Sequence, residues 1–140
     1  MSIRDLEQRY DPELQFRPLP RLTGRIVGAL LLGLALFHYY TAGFGLLREA
    51  THRGIHLALV LGLIFLVFPL RRTGPTGIRP VPWFDWLLAL TAAAAALYVP
   101  WIFADLAMRV GDPLAIDVVM GTLMIGIVLE TARRAMGLAL

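Results

Sequence analysis

The sequence predicts an all-α membrane protein with four transmembrane helices and both termini in the cytoplasm (N-in/C-in). Apolar residues make up 58% of the 140 residues and charged residues only 16%, whereas a soluble domain carries about 25% charged residues. The apolar residues also form four blocks, and a membrane-spanning helix needs about 20 mostly apolar residues. This composition argues against a water-soluble enzyme. The blocks cover residues 22–40, 55–70, 84–103 and 114–129.

The first 21 residues are predicted to form a cytoplasmic segment, followed by a four-helix membrane domain over 22–140. The segment is rich in acidic residues and has no small-residue cleavage site, so we expect no secretory signal. Ser2 followed by Asp5 fits a helix start, so the segment is either a short interfacial helix or a frayed tail. Three prolines would end such a helix before the first span: Pro12, Pro18 and Pro20.

The membrane domain is expected to contain helices at about 22–40, 46–68, 84–103 and 114–130. The second helix is placed from Leu46 because Gly43 and Gly45 interrupt the first helical run. It would then span roughly 34 Å at 1.5 Å per residue. Pro82 suits the first turn of the third helix, where a missing N–H costs little. Asp112 and Pro113 make a similar start for the fourth.

The arginines predict the orientation in the membrane. Ten of them fall on one side of a four-span arrangement and three on the other, and positive residues favour the cytoplasmic side. The ten are Arg4, Arg9, Arg17, Arg21, Arg25, Arg71, Arg72, Arg79, Arg133 and Arg134, and the three are Arg48, Arg53 and Arg109. Membrane anchors are expected where aromatic rings and arginines meet the headgroups: Trp86, Tyr98, Trp101, Arg133 and Arg134.

The chain contains neither cysteine nor lysine. Disulfides, thiolate metal sites and Schiff-base chemistry are therefore excluded. A pI near 10.0 would suggest nucleic acid for a soluble protein, but here the arginines lie between hydrophobic blocks, where membrane topology explains them. We expect no nucleic-acid partner, no enzymatic activity, no cofactor and no metal ion.

A polar stripe begins the second predicted helix. Its four members, spaced i, i+3, i+4 and i+7, share one helix face, and the first and third are in register for an ion pair. Three interpretations remain open: a solvated helix end, a contact with a partner subunit, or a metal site. The members of this polar stripe are Glu49, His52, Arg53 and His56.

Histidines also suggest an alternative function. His38 near the end of the first helix and His56 near the start of the second could hold a haem between them, which would make the chain a small redox membrane protein. His38 as an interfacial, hydrogen-bonded histidine is the competing interpretation. An absorption spectrum of the purified chain distinguishes the haem protein from the alternatives.

The remaining candidate residues point to partner contacts. Asp85 and Asp117 lie in the first turns of the third and fourth helices, where a carboxylate favours the helix dipole. Neither lies at the midplane, where ion pathways normally place their carboxylates, so we expect no transport by this chain alone. Candidate partner contacts are the polar stripe together with Trp83, Asp85, Ala92, Ala94, Ala96 and Asp117, since small residues allow close helix packing.

Five short sequence segments resemble the N-terminal region of the fused permeases of TRAP transporters, in the branch with TAXI-type binding proteins. They are HYYTAGFG at 38–45, RGIHL at 53–57, FLVFP at 65–69, PWFDW at 82–86 and LETARRAMG at 129–137. Their order and spacing extend the resemblance over residues 10–140. The fused permeases continue for several hundred residues beyond this region, so the chain is either a separately encoded subunit, which we expect, or a piece of a longer protein.

The resemblance implies a small, Q-type subunit in the bacterial inner membrane. Its implied partners are a large M-type transport subunit, a periplasmic TAXI-type substrate-binding protein and membrane lipid. In that family the large subunit carries the substrate and cation sites, and a sodium or proton gradient drives uptake of organic acids. The small subunit braces the large one in the bilayer.

Overall fold

The computed structural model describes residues 16–45, 47–70, 78 and 80–136. These residues form four long helices, each long and apolar enough to cross a membrane. The all-α class and the four candidate spans are thereby confirmed. The segment with Ser2 and Asp5, predicted as an interfacial helix or a tail, lies outside the described residues. The helices are α1 (Arg21–Gly43), α2 (Glu49–Val67), α3 (Trp83–Met108) and α4 (Ala115–Met136).

The helix bounds differ from the predicted ones at all four helices, and α1 continues to Gly43 rather than ending near residue 40. Helix α2 begins at Glu49 rather than at residue 46, which lies outside the described residues. Helix α4 continues to Met136 rather than ending near residue 130. Its last turn carries two arginines, and cations there interact favourably with the exposed carbonyls and the helix dipole.

Helix α3 is also longer than predicted and includes a proline. It continues to Met108 and contains Pro100. A proline inside a helix removes one backbone hydrogen bond but does not have to end the helix. The turn to α4 contains Gly111 with a φ of 87°, a left-handed conformation that glycine adopts without a steric penalty.

The closest packing in the molecule is between α2 and α3. Gly54 of α2 lies so near α3 that a Cβ atom added to it would be 2.2 Å from Cγ of Pro100 and 2.9 Å from the carbonyl oxygen of Ala96. Further along α2, a Cβ atom added to Gly62 would be 3.7 Å from the carbonyl oxygen of Ala89, so the helices are less close there. Small residues at the contact allow the two backbones to approach, as is typical of membrane helices.

Helices α1 and α4 pack on the outside of this pair. Helix α1 buries only Val27 and Thr41, and α4 buries Ile127, Thr131 and Arg134. Most other apolar side chains of both helices point away from the chain, for example Leu32, which is 60% exposed, while Leu30, Leu34 and Met124 pack against the core. Such helices need lipid or another protein around them.

Candidate functional site

A buried group of charged residues joins four parts of the chain at one end of the bundle. At its centre, the carboxylate of Asp85 in the first turn of α3 is fully buried. Arg134 donates from Nη1 to one oxygen of this carboxylate at 2.7 Å, and Arg17 donates from Nη2 to the other. Glu130 accepts from Nε of Arg134 at 2.7 Å and from Arg133 at 2.7 and 2.8 Å. We call these five residues the ionic hub.

Backbone and aromatic contacts connect the ionic hub to the end of α2. The N–H of Arg17 donates to the Val67 carbonyl at 2.9 Å, and Arg134 donates to the Phe68 carbonyl at 3.4 Å. The Arg134 guanidinium also lies 4.8 Å from the centre of the Phe65 ring, a cation–π contact. The segment before α1 is therefore fixed to the ends of α2 and α4 and to the start of α3.

The ionic hub changes the roles expected for two of its members. Arg134 was predicted to be a membrane anchor, but its side chain is 0% exposed and its guanidinium pairs with Asp85 and Glu130. Asp85 does lie at a helix start, yet both its oxygens are taken up by arginines of the same chain. Glu130 and Arg134 form an i, i+4 pair, as their spacing alone would predict, whereas no sequence spacing predicts the pairing of Arg17 with Asp85.

A second charged network lies at the opposite end of the bundle. Asp117 accepts hydrogen bonds from the Tyr98 hydroxyl and the Arg109 guanidinium, and from the Leu114 backbone N–H at 2.7 Å. Asp105 completes the network by accepting from Nε of Arg109 at 2.9 Å. The carboxylates of Asp117 and Asp105 raise the pKa of Arg109 above its usual range. This network joins the end of α3 to the start of α4.

The polar stripe of α2 divides between two surfaces. Glu49 and Arg53 form the predicted i, i+4 ion pair, with both side chains about three-quarters exposed. They line a cavity of about 570 Å³ between α2, α3 and α4, together with Tyr98 and Asp117. His52 and the fourth member of the stripe, His56, are half-buried and face α1.

The structure brings the two candidate haem ligands together. Nε2 of His38 lies 2.8 Å from Nδ1 of His56, and the ring of His52 is 5.4 Å from that of His38. Because the two nitrogens share a hydrogen bond, there is no room for an iron between them, so this arrangement does not fit an axial haem pair. Within the described ranges, no group of three or more histidine, aspartate or glutamate side chains is placed to hold a metal ion.

We expect the purified chain to show no Soret band. The nitrogens of His38 and His56 are hydrogen-bonded to each other, so they are not free to bind a haem iron. The measurement is an absorption spectrum of the protein prepared from cells supplied with a haem precursor. A Soret band that disappears in the H56L variant would contradict the hydrogen-bonded arrangement. The H52L variant is the matched control, since His52 makes only ring contacts.

The alanines and aromatics of α3 separate into inner and outer faces. Ala92 and Ala96 are buried within the chain, at 0% and 5% exposure, so intramolecular packing already occupies them. Ala94 is exposed. Trp83, the first residue of α3, and Trp101, about two turns before the end of α3 at Met108, are 76% and 90% exposed. Trp86 and Tyr98 are half-buried, as is Arg133 of α4.

Comparisons of the chain with protein-family profiles, with curated proteins and with solved structures find no match.

Proposed function

We propose that this chain is the small, Q-type scaffold subunit of a TRAP-type importer of organic acids in a bacterial inner membrane. In this proposal the chain braces the large M-type transport subunit, and a periplasmic TAXI-type protein delivers the substrate. An ion gradient acting on the large subunit drives uptake. The ionic hub lies on the cytoplasmic side, where the excess of arginines favours it.

The observation that carries the proposal is the large uncovered apolar surface of α1 and α4, combined with unoccupied small-residue positions. A Cβ added at Gly28, Gly33 or Gly121 would meet nothing within 4 Å. Small residues at membrane helix contacts allow close approach of a neighbouring backbone, yet none of the four described helices uses the space at these positions. A partner subunit packed there would use it.

The distribution of charge supports a bracing role rather than transport by this chain alone. In the described part of the chain, every carboxylate lies within about two turns of a helix end, as with Asp85, Asp117 and Glu130. These three carboxylates are paired with arginines of the same chain. Ion pathways usually require a carboxylate or a broken helix near the midplane.

Reconstitution into vesicles tests the proposal. This chain, the proposed large M-type subunit and the proposed TAXI-type binding protein are reconstituted together and in pairs. We expect gradient-driven uptake of an organic acid with all three components, and none when this chain is omitted or present alone. Uptake by this chain alone, or full uptake without it, would overturn the proposal.

We also expect the A94W variant to co-purify less well with the large subunit. Ala94 is a small exposed residue between Leu90 and Leu97, which are 67% and 42% exposed, so it forms a notch on the outer face of α3. Filling the notch would hold a neighbouring helix away. The measurement is the recovery of the complex on an affinity tag. The A94S variant keeps the notch and should recover fully; equal recovery of both variants would exclude this face as the contact.

A further inference from the structure

We propose that the end of the bundle with the ionic hub binds one anionic phospholipid. Its acyl chain would lie in a groove along α4, and its phosphate would pair with the arginines of the ionic hub. This site is independent of the proposed transporter partner. The proposal is based on the shape of the groove, on its junction with the ionic hub and on the excess positive charge there.

The groove has the dimensions of a lipid chain. Its volume is about 580 Å³, within the roughly 300–1,000 Å³ typical of ligand pockets. Along α4 it extends from Val118 to Glu130, about 18 Å at 1.5 Å per residue. One leaflet contributes about half of a hydrocarbon core that is roughly 30 Å thick. A single acyl chain running along α4 therefore matches the groove in length.

The lining of the groove is apolar except for Thr122, whose hydroxyl donates to the Val118 carbonyl, and for the end that meets the ionic hub. Leu88 of α3 and Leu123 of α4 form its walls, and Gly126 leaves its middle open. Two residues that line the groove lie at this end. Glu130 belongs to the ionic hub, and the ring of Phe65 lies beneath Arg134. A molecule in the groove would therefore carry its headgroup to the ionic hub.

The ionic hub has one more positive than negative charge, with three arginines against two carboxylates. Nη1 of Arg17 and Nη2 of Arg134 are buried and find no hydrogen-bond partner in the part of the chain that the structure describes. Buried donors without acceptors destabilise a structure. The side chain of Arg133 is 36% exposed and can meet a headgroup directly. A phosphate beside Arg133 supplies the missing negative charge.

An anionic phospholipid satisfies both halves of the site. Basic pockets between membrane helices on the cytoplasmic side bind anionic headgroups. Free inorganic phosphate would use the arginines but not the groove. A zwitterionic phospholipid would fill the groove but would bring a second cation to a cluster that is already positive.

Native mass spectrometry of the purified full-length chain in detergent tests the site. The protein is titrated with phosphatidylglycerol and with phosphatidylcholine that have identical acyl chains. We expect one retained lipid and about tenfold tighter retention of phosphatidylglycerol, which is about 1.4 kcal/mol. Excess inorganic phosphate should not displace it. Equal retention of the two lipids, or displacement by inorganic phosphate, would overturn the proposal.

Two variants locate the lipid in the structure. G126L places a side chain in the groove, since an added Cβ at Gly126 meets nothing within 4 Å, and should abolish retention without lowering the melting temperature. G33L on α1 has equally open surroundings and should retain the lipid. R133Q should reduce the preference for phosphatidylglycerol several-fold. Retention by G126L equal to that of the unchanged chain would contradict the assigned position.

The variants also separate this proposal from the proposed function. All of these measurements use the chain without a transport partner, so loss of lipid binding and loss of co-purification are scored in different experiments. If G126L leaves lipid retention intact but abolishes recovery of the large subunit, the groove is a protein contact and the lipid site is excluded.

Discussion

Replacing Asp85 with asparagine is expected to cost about 3–5 kcal/mol of unfolding free energy, the effect of removing one partner from a buried ion pair. The change keeps the size of the side chain but leaves Arg17 and Arg134 as buried cations with no carboxylate between them. Both arginine side chains are almost completely buried, at 6% and 0% exposure. The measurement is unfolding in mixed micelles of detergent and dodecyl sulfate, followed by circular dichroism.

Two comparisons make this prediction specific. E49Q removes a carboxylate from an ion pair that is about three-quarters exposed, and exposed pairs contribute only about 0–1 kcal/mol. The combined variant D85L/R17L/R134M replaces all three charges with apolar side chains and should recover most of the loss, since buried pairs are often no more stabilising than hydrophobic packing. A D85N protein as stable as E49Q would show that Asp85 is not needed to balance the two arginines.

Replacing Gly54 with alanine is expected to cost about 3 kcal/mol, the upper part of the range for overpacked cores. The new Cβ would lie 2.2 Å from Cγ of Pro100 and 2.9 Å from the Ala96 carbonyl oxygen. Neither a proline ring nor a helix backbone moves as easily as the end of a long side chain. Helices α2 and α3 must therefore separate, and the same unfolding measurement reports the loss.

Gly62 provides the matched control for this prediction. Its added Cβ would meet only the Ala89 carbonyl oxygen at 3.7 Å, an ordinary contact, and alanine favours the helix over glycine by about 1 kcal/mol. G62A should therefore be neutral or stabilising. Adding P100A to G54A removes the closest contact and should restore part of the stability. Equal stabilities for G54A and G62A would mean that the contact between α2 and α3 is looser than described.

Much of the fold could be predicted because it depends on local composition. Four apolar blocks separated by arginines, glycines and prolines indicate four helices, and two ion pairs at i, i+4 spacing, Glu49 with Arg53 and Glu130 with Arg134, were also predictable. The bounds were less predictable: the start of α2 at Glu49 and the end of α4 at Met136 depend on capping and on side-chain pairs in the last turn rather than on hydropathy.

The candidate site was predicted less completely. Asp85 was singled out, but its two arginine partners were not, since they lie 68 and 49 residues away. The sequence did contain one weak indication of such a partner. A carboxylate in the first turn of a membrane helix, such as that of Asp85, requires a partner if it is not solvated. Of the alanines in α3, the sequence could not show that Ala92 and Ala96 face inwards and Ala94 outwards, because the stretch 92–96 is alanine throughout.

The sequence by itself determined that this chain forms four apolar helices and which charges lie at their two ends, because hydropathy and helix periodicity act over neighbouring residues. Only the tertiary structure decided which charges are buried together, which glycine brings α2 against α3 and which grooves stay open. Those outcomes depend on how helices from distant parts of the chain fit together. Hydrophobicity cannot select among such arrangements when all four helices are about equally apolar.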